Sequence, residues 1–342
     1  MSAVYEPVDM FSDCIFDGAE TGPQQNSHKA KQLTDSASTK IKSIATSPRI
    51  TSMIQDCVDI QFDAAKETGT LGFLNSMLVQ ATLPHSNPGD NVTYYERTSG
   101  VLTMSIMSRP SVGLPYGSLP RTLLAWICTE AVKTKSKTLY LGSSQAEFLR
   151  ENLNLHTSGS YTSRVKEQAY RLFNSFITLE NKQKDRTTIE NTVIARKAAF
   201  WNPNNNSDQK GAWQSELTLT TDFYEDVTSA PIPTDLRILH ALKKSPLAMD
   251  IYTWLCYRQF LMSVKNDCVV RIPWEALRFQ FGSNYSTGCE KKALHNFRQN
   301  FLLRLKEVSI FHPDLVSAVS MSTSKLFVMK KAKSMLRLKS LI

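Results

Sequence analysis

Residues 118–134 read SLPRTLLAWICTEAVKT, and residues 246–262 read PLAMDIYTWLCYRQFLM. Set one on the other at a constant offset of 128 positions, and Trp126-Ile-Cys128 falls on Trp254-Leu-Cys256. The alignment extends without a gap, so that 118–176 lies on 246–304. Leu119, Trp126, Cys128, Lys137, Glu147, Leu149, Arg150, Ser158 and Phe173 all meet an identical partner, nine identities in 59 positions. That number is little above chance. The order of elements along each copy carries more weight than the identities.

Each copy reads as helix, short strand, short helix, turn, long helix, then strands. In the first copy the expected helices span 118–134, 144–153 and 161–176, with strands at 137–142, 176–181, 188–194 and 213–221. In the second they span 246–264, 273–281 and 288–306, with strands at 268–272, 316–321 and 325–331. Ser144-x-x-Glu147 and Thr287-x-x-Glu290 have the spacing of capping boxes, which satisfy the free amides of a first helical turn. Pro120 and Pro273 suit helix beginnings, where a missing N–H costs nothing. Two helices joined by a short turn and followed by a β-hairpin make the winged form of helix-turn-helix. The expected fold class is α+β, with two tandem winged-helix domains at 48–234 and 235–342 and a disordered polar tail at 1–47. The first domain carries an extension. Ile50, Met53, Ile54, Cys57, Val58, Phe62 and Ala65 follow a helical stripe, and strand-like runs follow at Met77–Leu83, Thr93–Arg97 and Val101–Ser108.

A helix that reads DNA must bury one face and offer polar and cationic side chains to the major groove. In the first copy Val165, Ala169, Leu172, Phe173 and Phe176 form the apolar stripe. Tyr161, Ser163, Arg164, Glu167, Gln168 and Arg171 are assigned to the other face. In the second copy Ala293, Phe297, Phe301 and Leu305 point inward, leaving Lys291, Lys292, His295, Asn296, Arg298 and Gln299 outside. Arg pairs with guanine and Asn or Gln with adenine through bidentate contacts, whereas Lys more often meets phosphate. For either helix alone an ordinary solvated face is an equal explanation. Two such helices at equivalent repeat positions favour DNA. Lys182, Lys184 and Arg186 at one hairpin tip, and Lys330 and Lys331 at the end of the last strand, are candidate phosphate contacts.

Charge supports this placement. Of the net +9, residues 1–100 contribute −5, residues 101–234 contribute +3 and residues 235–342 contribute +11. Such a gradient points to a polyanionic partner for the C-terminal third. The six cysteines form no C-x-x-C pair and stand at no zinc spacing with His, so reduced, mostly buried thiols are expected. No run of 18 apolar residues exists, which argues against a membrane span, and no basic-then-apolar leader opens the chain. A cytoplasmic location is expected. There is no phosphate-binding G-x-x-x-x-G-K-[ST] loop and no His pair near a tyrosine for metal-assisted nicking. The residues therefore offer no catalytic constellation, and no metal or cofactor is expected. The competing readings are a plasmid or phage transcriptional regulator with the same binding mode and, less well supported, an origin nickase.

The stretch Gly113-Leu-Pro-Tyr-Gly-Ser-Leu-Pro-Arg-Thr-Leu-Leu-Ala-Trp126, followed by Thr129-Glu-Ala-Val-Lys-Thr-Lys135, resembles the RepA-type plasmid replication initiators. Leu141-Gly-Ser-Ser144, Glu147-Phe-Leu-Arg150 and, upstream, Leu78-Val-Gln-Ala-Thr-Leu-Pro84 are similar to that family as well. The resemblance spans roughly residues 70 to 335. It implies binding to repeated double-stranded DNA sites, iterons, at a plasmid origin, with melting of adjacent AT-rich DNA. It also implies recruitment of a host initiator and replicative helicase, and homodimers that repress their own gene while monomers start replication. Residues 158–164 depart from the Gly- and Arg-rich approach to the first recognition helix that the family leads one to expect.

Overall fold

The computed structural model describes residues 49–330 apart from 51, 54–55, 58–69, 76–78, 80–81, 90, 100, 183–184, 200–214, 266–268, 283–288, 314–315, 317–318 and 321–325. The expected tail at 1–47 lies outside them, as do Lys184, Lys331 and the capping residue Thr287.

Among the described residues, 49–50, 52–53 and 56–57 are helical and make up a leading helix, with Ile50, Met53 and Cys57 buried at the spacing of one helical face. Strand β1 (Leu71–Leu74) follows, then β2 (Tyr94–Ser99) and β3 (Leu102–Met107). Of the strand expected at Met77–Leu83, residues 77–78 and 80–81 lie outside the described residues and the others are not in a strand. Val79 is helical, its N–H bonding to the carbonyl of Asn75, and Leu83 lies in irregular chain. An apolar run this short does not distinguish strand from helix.

The first repeat copy comprises α1 (Ser118–Thr134), β4 (Thr138–Tyr140), α2 (Gln145–Glu147, continued by a π-helical turn over Phe148–Asn152) and α3 (Gly159–Phe173). It continues with β5 (Phe176–Lys182), β6 (Thr187–Thr192), β7 (Ala195–Ala198) and β8 (Glu216–Leu219). Helix α4 (Thr221–Ser229), strand β9 (Ile232–Asp235) and helix α5 (Leu236–Ala241) lead onward. The second copy has α6 (Pro246–Lys265), β10 (Val269–Pro273), α7 (Trp274–Phe281) and α8 (Glu290–Phe311). It closes with β11 (Val319–Ser320) and β12 (Leu326–Lys330).

The two copies share a sheet topology. The strand order is β4-β8-β7 in the first and β10-β12-β11 in the second. In both, the strand before the second helix pairs with the last strand of the copy, and the penultimate strand lies outside. The first copy differs by an insertion. Its hairpin β5–β6 leaves the three-stranded sheet and joins β2 and β3 in the order β2-β3-β5-β6.

The aligned tryptophans occupy corresponding sites. Trp126 meets Phe148 edge-on at 4.9 Å, and Trp254 meets Phe281 edge-on at 5.6 Å. Each such pair adds about 0.5–1.5 kcal/mol beyond its buried area. Both first helices are buried nearly all round, as central helices must be. Where they meet, Arg121 and Asp250 form a buried ion pair with Nε–Oδ1 at 2.6 Å. The core is continuous across the two copies. The boundary expected between 234 and 235 falls inside β9, which pairs antiparallel with β1. Among the described residues no helix is long and apolar enough to cross a membrane.

Candidate nucleic-acid interface

Helix α3 starts at Ser158, whose extended backbone leaves its carbonyl to accept the N–H and hydroxyl of Thr162. Val165, Ala169 and Leu172 pack inward. Ser163 and Arg164 face solvent, and Tyr161 is half-buried beneath the Arg164 guanidinium, 5.8 Å from its ring. Burial pushes the Tyr161 phenol up, so it remains a neutral donor at physiological pH.

Gln168 and Arg171 do not belong to this outer face; both are buried. Gln168 Oε1 accepts the N–H of Tyr116 at 2.9 Å. Arg171 donates from Nη1 to the carbonyl of Leu114 at 3.2 Å, pairs with Glu167 at 2.8 Å and covers the Tyr116 ring at 5.3 Å. Together they clamp the 113–116 segment against the helix. Gly113 sits there at φ 77, and a Cβ would come within 3.0 Å of Arg171 Nη1. Angular position explains the correction: 165, 168, 169 and 172 follow i, i+3, i+4, i+7, so Gln168 lies within the buried stripe. Phe176 also leaves the helix, standing at the start of β5.

Helix α8 matches the expected faces more closely. Ala293, Phe297, Phe301 and Leu305 are buried, and Phe301 packs edge-on to Trp274 at 5.7 Å. Lys291, Lys292, His295 and Gln299 are exposed, while Asn296 and Arg298 are partly covered. His295 Nε2 and Gln299 Nε2 lie 2.9 Å apart, and the Arg298 guanidinium stands 5.1 Å from the Trp274 ring. The helix runs to Phe311, beyond the expected 306, because Val308 and Phe311 continue the buried stripe. At its N-terminus the Arg278 guanidinium holds the Glu290 carboxyl below the usual carboxylate range.

The cations on the strands divide between sheets. Lys182 and Arg186 are exposed on the β5–β6 hairpin, which belongs to the four-stranded sheet; Lys182 also pairs with Glu180 at 3.0 Å. Lys330 ends β12 opposite Val269 of β10. The hairpin strand of the first three-stranded sheet instead brings up Arg196 and Lys197, both exposed and absent from the expected set. The Asn-rich run at 202–206 was the available sign that a second hairpin connection follows them.

One buried acid–base pair lies away from these helices. His85 Nε2 lies 2.8 Å from Asp250 Oδ2, and burial pushes the imidazole down, keeping it neutral. Burial of Asp250 would raise its carboxyl, but the Arg121 charge and the His85 hydrogen bond outweigh it and hold the group below its ordinary value. Among the described residues no group of three or more His, Cys, Asp or Glu could hold a metal ion.

A family model described as "Plasmid encoded RepA protein" matches residues 114–276. No curated protein sequence matches significantly. A solved structure of RctB domains 2-3 is 12% identical, covers 76% of this chain and 98% of its own, and gives a TM-score of 0.45. A selenomethionine derivative of the same two domains is also 12% identical, with 74% and 95% covered and a TM-score of 0.46.

Proposed function

We propose that this chain, in which residues 114–276 match a family model described as plasmid encoded RepA protein, is a plasmid replication initiator that binds repeated double-stranded sites, iterons, at its origin. The observation behind this reading is the pair of units with one sheet topology, each presenting a long helix with a polar, cation-bearing solvent face. Both units are read as winged helices. The major groove, about 12 Å wide, admits α3 or α8, and a strand hairpin lies along the phosphates.

In this arrangement Arg164, Asn296, Arg298 and Gln299 read base edges, and Tyr161, Ser163 and His295 offer further hydrogen bonds. Lys291 and Lys292 meet phosphate, as do Lys182, Arg186, Arg196, Lys197 and Lys330 on the strands. Gln168 and Arg171, being internal, take no part. Bending of the site stores energy that helps to melt adjacent AT-rich steps. Origin melting, recruitment of the host initiator and helicase, and a repressing homodimer follow from the family reading. The protein acts in the cytoplasm.

The test is a footprint of the full chain on the DNA flanking its gene, at two salt concentrations. Seven phosphate contacts would give a log–log salt slope of about −6 and weaken binding roughly 10⁴-fold between 50 and 200 mM. Evenly spaced protected repeats support the initiator reading. Protection of one operator, with the plasmid persisting after gene deletion, would make the protein a transcriptional regulator. Absence of specific protection at either salt overturns DNA recognition.

A further inference from the structure

A cleft of about 430 Å³ opens where the leading helix, the segment after the π-helical turn and the α5 region meet. Its basic side chains come from all three: Arg49 from the first, His156 from the second, and Arg237, His240, Lys243 and Lys244 from the third. Among the described lining residues Asp56 is the one carboxylate. Glu307 and Asp235, behind the wall, are engaged with Arg49 at 2.9 Å and Arg237 at 2.8 Å. Those pairs engage the two guanidiniums, and Asp56 is the acid that acts on Lys243 and His240.

The crowding is local. Lys243 Nζ lies 2.7 Å from His240 Nε2, and that nitrogen lies 2.5 Å from the carbonyl oxygen of Asn154. Asn154 turns its backbone through the left-handed region, at φ 51. With its proton on Nε2 the imidazole donates to this carbonyl and cannot also accept from the ammonium; with the proton on Nδ1 it accepts from the ammonium instead. Burial pushes both groups below their ordinary ranges, and neighbouring cations add to the effect. A multiply charged acceptor could take hydrogen bonds from several of these donors at once. The volume lies within the roughly 300–1,000 Å³ usual for small-molecule sites. A duplex is a convex rod and would put little more than one phosphate into such a recess.

We propose that this cleft binds a small phosphate-bearing ligand, a nucleotide or free phosphate, through Lys243, Lys244 and His240, with Arg49 and Arg237 completing the cationic wall. The site is separate from the outer faces of α3 and α8, so its failure and the failure of DNA recognition are distinguishable.

Calorimetric titration of the full chain at low chloride would use sodium phosphate in one arm, ATP in a second and a non-specific duplex in a third. Binding of phosphate or ATP with a rise in Tm is expected, because a ligand of the folded state stabilises it. Tighter binding of ATP would identify a nucleotide as the source; equal binding would identify free phosphate. Lys243→Gln with Lys244→Gln should weaken binding about tenfold or more, the loss of charge-assisted hydrogen bonds. Lys291→Gln with Lys292→Gln should leave it unchanged. Lys244→Glu, at an exposed position, gives the same reading without disturbing the half-buried Lys243. The proposal fails if neither probe binds, if the Lys243 and Lys244 variants bind as the parent does, or if the duplex displaces ATP.

Discussion

Arg121 uses all its donors inside the protein. Nε and Nη2 reach the two oxygens of Asp250 at 2.6 and 2.7 Å, while Nη1 and Nη2 also meet the carbonyls of Gly117 and Leu83 at 2.6 and 2.7 Å. A buried charge with one partner removed is far costlier than the intact pair is stabilising. Asp250→Ala should therefore lower stability by about 3–5 kcal/mol, read from urea unfolding. A loss below 1 kcal/mol would mean that the site is wetter than the structure indicates. His85 provides a pH test. Its folded pKa lies below the unfolded value of about 6.5, so the unfolded chain takes up a proton that the folded one refuses. Its contribution is constant above that pH and declines as pH falls below it. Asp250, with a depressed folded pKa, contributes above about 3.9 and loses that contribution as pH falls through its folded value. His85→Gln should reduce the slope between neutral pH and pH 5, leaving the part due to His240, whose pKa burial also lowers. An unchanged slope would assign it to another group.

Elements separate residues that hold the fold from residues that meet a partner. Arg171→Ala or Gln168→Ala frees the 113–116 segment and should cost about 1–3 kcal/mol of stability, with DNA selectivity retained. If either variant instead altered site preference at full stability, the inward placement would be wrong. Lys292→Ala should leave stability unchanged and lower affinity equally on all sequences, reducing the salt slope by about one. Arg164→Ala should cost about 1–3 kcal/mol on the specific site alone. Swapped outcomes would swap the phosphate and base assignments. Ser144 Oγ accepts the N–H of Glu147, and Glu147 in turn takes the N–H of Ser143 at 2.8 Å. Ser144→Ala should cost about 1 kcal/mol through the lost cap.

At the scale of the molecule, the repeat copies are joined too closely to act as beads on a string. Thr82 Oγ1 donates to the Gln280 carbonyl at 2.6 Å, and Arg97 Nη1 to the Phe279 carbonyl at 2.6 Å. The leading helix reaches the far copy through Arg49–Glu307 and through Cys57, whose thiol donates to the Ile310 carbonyl at 2.8 Å. Unfolding should be a single cooperative transition, coincident by fluorescence and circular dichroism. A fragment of residues 235–342 would lose Arg121 and the β1–β9 pair, of which it keeps only Asp235, and should lack the sharp amide dispersion of a packed domain. Two separated transitions, or a well-dispersed fragment spectrum, would show that the halves are thermodynamically independent.

The sequence by itself determined the repeat, the order of helices within each copy and most of their limits. Helical periodicity is a local property, and the apolar residues at 119–131 and 247–262 leave little choice of conformation. It determined the faces of α8 for the same reason, since Ala293, Phe297, Phe301 and Leu305 repeat every four residues without a polar interruption. Tertiary structure decided which neighbour each face would meet. The β5–β6 hairpin could have paired with β4, but β2 and β3 offered a full-length antiparallel edge from Leu102 to Met107. Gln168 and Arg171 have polar ends on long stems, and their direction depended on carbonyl and amide groups from 113–116, more than fifty residues away in the chain. Asp250 and Arg121 each stand in an apolar run at nearly equivalent repeat positions. Only the meeting of the two central helices shows that each satisfies the other. Periodicity says which residues share a side, and long-range pairing says what that side touches; the second is not encoded within any one window of sequence.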